Sequence, residues 1–276
     1  MRSFAATASY LPGTMRLTSS AFRRIICWSC LMAGPIAAQP NEPRPYWRDR
    51  GPEIVNGFSF CRLRYRSVRH EADGHGWGTD YPQADRHLMI RLGELTSARI
   101  AVDGKGEPSH YSVDPADPDL AGCPFIMSTD VGTMELSEPE VAGLRAYLLK
   151  GGFWWVDDFW GSTAWEYWAA EVARVFPELE IVDVPVGHLI LPVAAPQISN
   201  RDRWRSTGNH NERGEDSAEV HVRGVFDASG RLMIFMTHNT DIGDSWERET
   251  DPDFFAETAF LGYPFGINVL LYAMSH

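Results

Sequence analysis

Positive charge is what this sequence has little of: 25 Lys and Arg stand against 37 Asp and Glu, a formal net charge of −12 with His neutral. Nucleic acid and anionic lipid both need a basic footprint, so neither is an expected partner, and cations or neutral ligands fit better. Long apolar runs are missing as well. The clearest one, residues 25–33, falls well short of the roughly 18 residues a membrane-spanning helix needs, so the mature chain is expected to carry no transmembrane segment. Internal repeats and low-complexity tracts are absent. So are H-E-x-x-H, the Walker loop, G-x-S-x-G and a strand-to-helix G-x-G-x-x-G, which removes the usual sequence support for the enzyme classes they mark.

Cysteine is also scarce, with four in 276 residues, and two of these, Cys27 and Cys30, sit in a leader-like segment. Arg23 and Arg24 precede the apolar run, and Gly34-Pro35-Ile36-Ala37-Ala38 follows it with small residues. This order reads as a secretory signal over 1–38, with translation starting at Met1 or Met15, and so as export to the periplasm or beyond. Without Arg2, Arg16, Arg23 and Arg24 the remainder holds 21 basic and 37 acidic residues, net −16. Residues 39–57 read as an extended lead-in and 58–276 as one α/β domain, for which a 44% hydrophobic content is ample. Cys61 and Cys123 remain, as one disulfide or as two buried thiols.

Along the domain, residues 59–67 alternate as a strand with Cys61, Leu63 and Tyr65 inward and Arg62, Arg64 and Arg66 on a wet face. A glycine-rich loop, 74–80, leads to Asp80 as the N-cap of a helix marked by Leu88, Leu92 and Leu95. Residues 98–102 and 124–128 read as strands. Ser137 with Glu140 forms a capping box for a helix that Gly151-Gly152 ends, and Thr163 with Glu166 forms another. Between them Phe153-Trp154-Trp155-Val156 is the continuous apolar run of a strand covered on both faces, and it stops at Asp157-Asp158. Residues 180–184 read as a further strand, 199–216 as a polar loop holding Asn200, Asn209, His210 and Asn211, 220–226 and 232–237 as a hairpin, and 263–274 as a closing helix. The expected fold is a flavodoxin-like open, mainly parallel sheet with helices on both faces and an antiparallel hairpin near the C-terminus.

In such sheets ligands bind beyond the carboxyl ends of the strands. The candidate ligand-binding residues are therefore Trp77, Asp80, Asp157, Asp158, His188, Asn239 and Asp241. Adjacent carboxylates raise one another's pKa and offer oxygens to a hard divalent cation; against this, one of the pair can cap a helix while the other binds an arginine. The oxygen-rich segment 238–247 suits a cation or polar ligand, or is a solvated turn, and lacks EF-hand spacing. His188 has an apolar setting typical of a structural histidine. Trp77 either stacks on a ligand or covers the core.

The runs Arg62-Leu63-Arg64-Tyr65, Trp77-Gly78-Thr79-Asp80-Tyr81-Pro82, Ser137-Glu138-Pro139-Glu140, Gly151-Gly152-Phe153 and Val156-Asp157-Asp158-Phe159, followed by Val175-Phe176-Pro177-Glu178, Gly187-His188, Asn239-Thr240-Asp241-Ile242-Gly243 and Gly266-Ile267-Asn268-Val269, resemble the family called domain of unknown function 4159 over about residues 58–275. The resemblance implies a fold similar to the class I glutamine amidotransferase-like group. Enzymes of that group mount a nucleophilic cysteine on a strand-to-helix elbow; the comparable elbow here, Val156-Asp157-Asp158-Phe159, has no thiol, so that chemistry is not implied. Gly187 stands where the family-like acidic residue before the histidine is expected. Some members look like terminal domains of membrane-anchored proteins, whereas this chain looks like a free-standing exported version.

Three readings follow. The first is a non-catalytic domain that binds a polar small ligand or a cell-envelope protein at the strand ends. The second is an envelope hydrolase using Asp157 or Asp158 with His188, with or without a divalent metal. The third is an interaction protein whose many tryptophans form an interface.

Overall fold

The computed structural model describes residues 57–71, 74–191, 214–252 and 260–276. The expected signal, the lead-in up to residue 56, and Asn200, Asn209, His210 and Asn211 lie outside them. A seven-stranded sheet runs in the order β3 (His110–Val113), β1 (Phe60–Leu63), β4 (Ile126–Ser128), β6 (Trp154–Val156), β9 (Leu232–His238), β8 (His221–Phe226), β7 (Val182–Asp183). The first five are parallel neighbours, and β8 and β7 join antiparallel. A separate two-stranded ladder pairs β2 (Arg66–Ser67) with β5 (Met134–Glu135). The expected α/β sheet with a late hairpin is therefore present.

Helices cover both faces, and the strand residues alternate between two cores. Cys61, Leu63, Trp154, Val156 and Met236 face α2 (Glu138–Leu149) and α3 (Gly161–Val175). Phe60, Met127, Trp155 and Phe235 face α1 (Gln83–Leu95), the short α4 (Asp244–Glu247) and α5 (Phe260–Ser275). Two-sided cover explains why 153–156 is apolar without a break, each large side chain contributing about 1.5–3 kcal/mol by burial. Trp154, Trp155, Trp168 and Trp246 are fully buried, so these four tryptophans build the core and not an interface.

Several expectations give way. The 59–67 strand is interrupted after Leu63, and Arg62 is not wet: its side chain is 0% exposed, because α1 lies over that face and supplies Asp85 to neutralise it. Residues 98–102 make only isolated bridges, Phe58 with Ile100 and Val102 with Pro108. The edge strand is instead β3, whose four residues pair in register with all of β1. Cys61 and Cys123 form a disulfide, tying the start of β1 to the approach to β4. Closing a 62-residue separation is worth about 4 kcal/mol in the chain-entropy account. Ser137 and Glu140 do form the capping box, with Glu140 Oε2 accepting the Ser137 N–H at 2.7 Å. No helix among the described residues is long and apolar enough to cross a membrane.

Candidate functional site

At the carboxyl edge of the sheet the chain turns sharply three times, at Asp130 after β4, Asp158 after β6 and Asn239 after β9. All three take left-handed backbone conformations (φ 52°, 53° and 62°), and Asp80, ahead of α1, is the fourth (φ 62°). Such residues cost of order 1–3 kcal/mol each and persist where the surrounding packing over-determines them. At Asp80 and Asp158 they let carboxylates converge on one place.

The neighbours Asp157 and Asp158 do different work. Asp157 is buried and accepts four hydrogen bonds, from the Thr237 and Thr240 hydroxyls at 2.6 Å each and from the Ile242 and Gly243 N–H groups at 2.7 and 3.2 Å. Burial raises its pKa in spite of these donors. Its role is to hold loop 240–243 in place; it neither caps a helix nor pairs with an arginine. Asp158 is 9% exposed and accepts from Trp160 Nε1 at 2.8 Å. Burial, then Asp80, Asp130 and Asp157, push its pKa well above the carboxylate range.

Asp80 is not the N-cap of α1, which begins at Gln83 after Pro82 and receives no capping side chain. The left-handed turn directs its carboxylate to the strand ends. Its Oδ2 is shut off from solvent and has no hydrogen-bond partner among the described residues. A side chain at Gly243 would put a Cβ 2.3 Å from that oxygen, so glycine is what lets the loop close over it. Asp241 Oδ1 accepts the Asp244 N–H at 2.9 Å. Asp80, Asp158 and Asp241 each place one oxygen within 4.8 Å of the others, as do Asp80, Asp244 and Glu247. Burial and Asp244, ahead of the other acids, raise both Asp80 and Asp241 well above their ordinary values. Arg62 opposes this at Asp80, but its guanidinium is already bound to Asp85.

The other expected site residues are elsewhere. Asn239 caps α3: its Oδ1 accepts the Gly161 N–H at 2.8 Å and its Nδ2 donates to the Glu219 carbonyl. Asp216 accepts the Ser162 N–H at 2.7 Å, so α3 starts at Gly161 under caps from distant residues, with Thr163 already inside the helix. Trp77 stands in a 3-10 turn, 5.5 Å from the Tyr81 ring, and packs on the core. His188 is at the wrong end of the sheet: it packs against Phe226 and Tyr272 beside the Ser229-Gly230 turn that enters β9. A position after a strand fails to place it at the strand ends because the chain doubles back beyond β7. His238 is a core residue between Phe159 and Trp165, with Nε2 bonded to the Gly161 carbonyl, and burial pushes its pKa down to about 4.

Asp244 and Glu247 complete the acidic site, and Asp130, whose carboxylate accepts the Gly76 N–H at 2.8 Å, is near enough to Asp158 to raise its pKa. Asp244 and Glu247 lie in the oxygen-rich segment already noted; Asp130 follows β4 as Asp158 follows β6, and that repetition was the available signal. Among the described residues the donor groups contain only Asp and Glu, a set suited to hard cations such as Ca²⁺, Mg²⁺ or Mn²⁺ and poorly matched to soft metals.

Fold and site together define an open-sheet α/β domain with a cluster of carboxylates at its strand ends. The chain belongs to the family described as Domain of unknown function (DUF4159), whose model matches residues 59–274. Compared with curated proteins, it matches none.

Proposed function

We propose that this protein is an exported, non-catalytic binding domain of the bacterial periplasm or exterior, which holds a divalent cation at the strand ends and engages a polar ligand or an envelope protein there. One observation carries the cation reading: Asp80 Oδ2 is closed to water without a hydrogen-bond donor among the described residues, beside carboxylates within 4.8 Å. An ionised oxygen so placed is costly unless a cation or a proton joins it. The acidic surplus of the chain points the same way. A hydrolase is the second reading, favoured by Asp158 standing in left-handed conformation on a strand-to-helix turn, the kind of elbow that mounts nucleophiles. In that reading a cation-bound water would replace any part for His188.

Thermal unfolding of the metal-free protein, then with Ca²⁺, Mg²⁺, Mn²⁺ or Zn²⁺ added singly, tests the reading. A hard cation at 100 times its Kd adds about 2.7 kcal/mol to the native state. The rise should shrink in Asp158→Asn. Unchanged melting with every cation overturns it.

A further inference from the structure

Resting on that reading, we propose that the carboxylate cluster takes two divalent cations, with the Asp80 carboxylate as the bridge between them. The ligand groups fall into two sets that share this residue alone. Asp158 and Asp241 approach from the loops after β6 and β9, and Asp244 and Glu247 approach from α4. Within each set one oxygen per residue lies within 4.8 Å of the others, the spacing of oxygens around a hard cation bound at about 2.3–2.6 Å.

Asp80 is built for the shared position. The left-handed backbone at residue 80 sends its side chain between the two sets, and Gly243, at the head of α4, lies close against Oδ2 with no Cβ to block it. Among the described residues that oxygen has no hydrogen-bond donor, whereas Asp157 beside it has four. A loop that satisfies one carboxylate so fully and leaves its neighbour without a donor has reserved that neighbour for a cation. A carboxylate has two oxygens and can serve a metal with each, which is how two-metal sites keep their ions about 3.5–4 Å apart.

Charge favours more than one ion. When ionised, Asp80, Asp158, Asp241, Asp244 and Glu247 carry five negative charges, Asp130 and Asp157 lie close by, and the buried guanidinium of Arg62 is bound to Asp85. One divalent cation offsets only two of these charges, and a second offsets two more. Arg248 approaches Asp244 Oδ2 at 3.7 Å and binds Asp251 at 2.8 Å, so Asp244 is shared between this guanidinium and the second ion.

The test is Mn²⁺ binding to the full metal-free domain, by equilibrium dialysis for stoichiometry and by electron paramagnetic resonance for coupling between ions. Two Mn²⁺ per chain with a spin-coupled spectrum are expected, falling to one uncoupled ion in Glu247→Gln, with the cation-induced rise in Tm kept. Asp244→Asn should behave like Glu247→Gln. A single ion in both wild type and Glu247→Gln removes the second position and leaves the first; two ions without coupling remove the bridge. No bound ion defeats this inference and the cation reading together. The wild-type stoichiometry and spectrum decide the matter even if a variant folds poorly.

Discussion

The Arg62 guanidinium and the Asp85 carboxylate bind each other where neither side chain reaches solvent. Arg62 also donates to Thr129 Oγ1 at 3.0 Å and to the Thr79 carbonyl at 3.3 Å, one residue before Asp80. The pair thus joins β1, α1 and the backbone that presents the site. Removing one partner strands a buried charge, so Asp85→Ala or Arg62→Met should destabilise by about 3–5 kcal/mol, while the double change to Met and Leu should recover most of it. Chemical denaturation of the four proteins reads this directly. Recovery of stability without recovery of cation affinity would identify the Arg62 contact with Thr79 as what positions Asp80.

Asp157→Asn and Asp158→Asn should part company. Asparagine at 157 weakens a fourfold acceptor and turns one polar atom against its donors, so unfolding in metal-free buffer should become easier by about 1–3 kcal/mol. Asparagine at 158 relieves repulsion among the converging carboxylates, so metal-free stability should hold or rise while the response to cations weakens. Equal destabilisation by both would make Asp158 a structural residue and count against the site.

The raised carboxylates give a pH signature. A carboxyl group whose pKa is higher folded than unfolded favours the native state as pH falls toward its unfolded value near 3.9, and opposes it as pH rises. Asp80, Asp158 and Asp241 are all of this kind, facing Asp130, Asp157, Asp244 and Glu247, with Arg62 the opposing charge. In metal-free buffer Asp158→Asn should therefore gain on the wild type between about pH 5 and 8. Saturating cation should reverse the order at the upper end. A constant difference in Tm across that range would show that Asp158 carries no such strain.

His238 works in the other direction. Its pKa is depressed to about 4 from an ordinary 6.5, so stability is lost as pH falls through that interval, when the unfolded chain takes up the proton and the folded one does not. His238→Phe keeps the ring between Phe159 and Trp165 and gives up the bond to Gly161. That variant should start less stable at pH 7.5 and lose less on acidification than the wild type. Parallel curves would mean that His238 takes no part in the acid response.

The sheet was readable because its signals are local. Residues 153–156 announce a strand covered twice, Ser137 and Glu140 satisfy each other within one turn, and Asp227-Ala228-Ser229-Gly230 separates two apolar runs. Asp157 and Asp158 at a strand end located the acidic edge. What stayed hidden depends on partners far along the chain. Arg62 alternates with apolar residues as a solvated side chain would, and only Asp85, brought by α1, makes its burial tolerable. Asp80 has the surroundings of a helix cap, and the left-handed turn that diverts it has no sequence signature in a non-glycine residue. Asn239 caps a helix 78 residues away, and His188 leaves the strand ends because the chain turns back after β7.

The disulfide lies toward the amino ends of β1 and β4, whereas the carboxylates gather at the carboxyl ends of β4, β6 and β9. One rim of the sheet is therefore stitched covalently, and the other is held by hydrogen bonds to Asp157 and Asn239 against the mutual repulsion of its carboxylates. Amide hydrogen exchange should be faster in 239–243 than along β1 in metal-free buffer, and ion uptake should slow the first without altering the second.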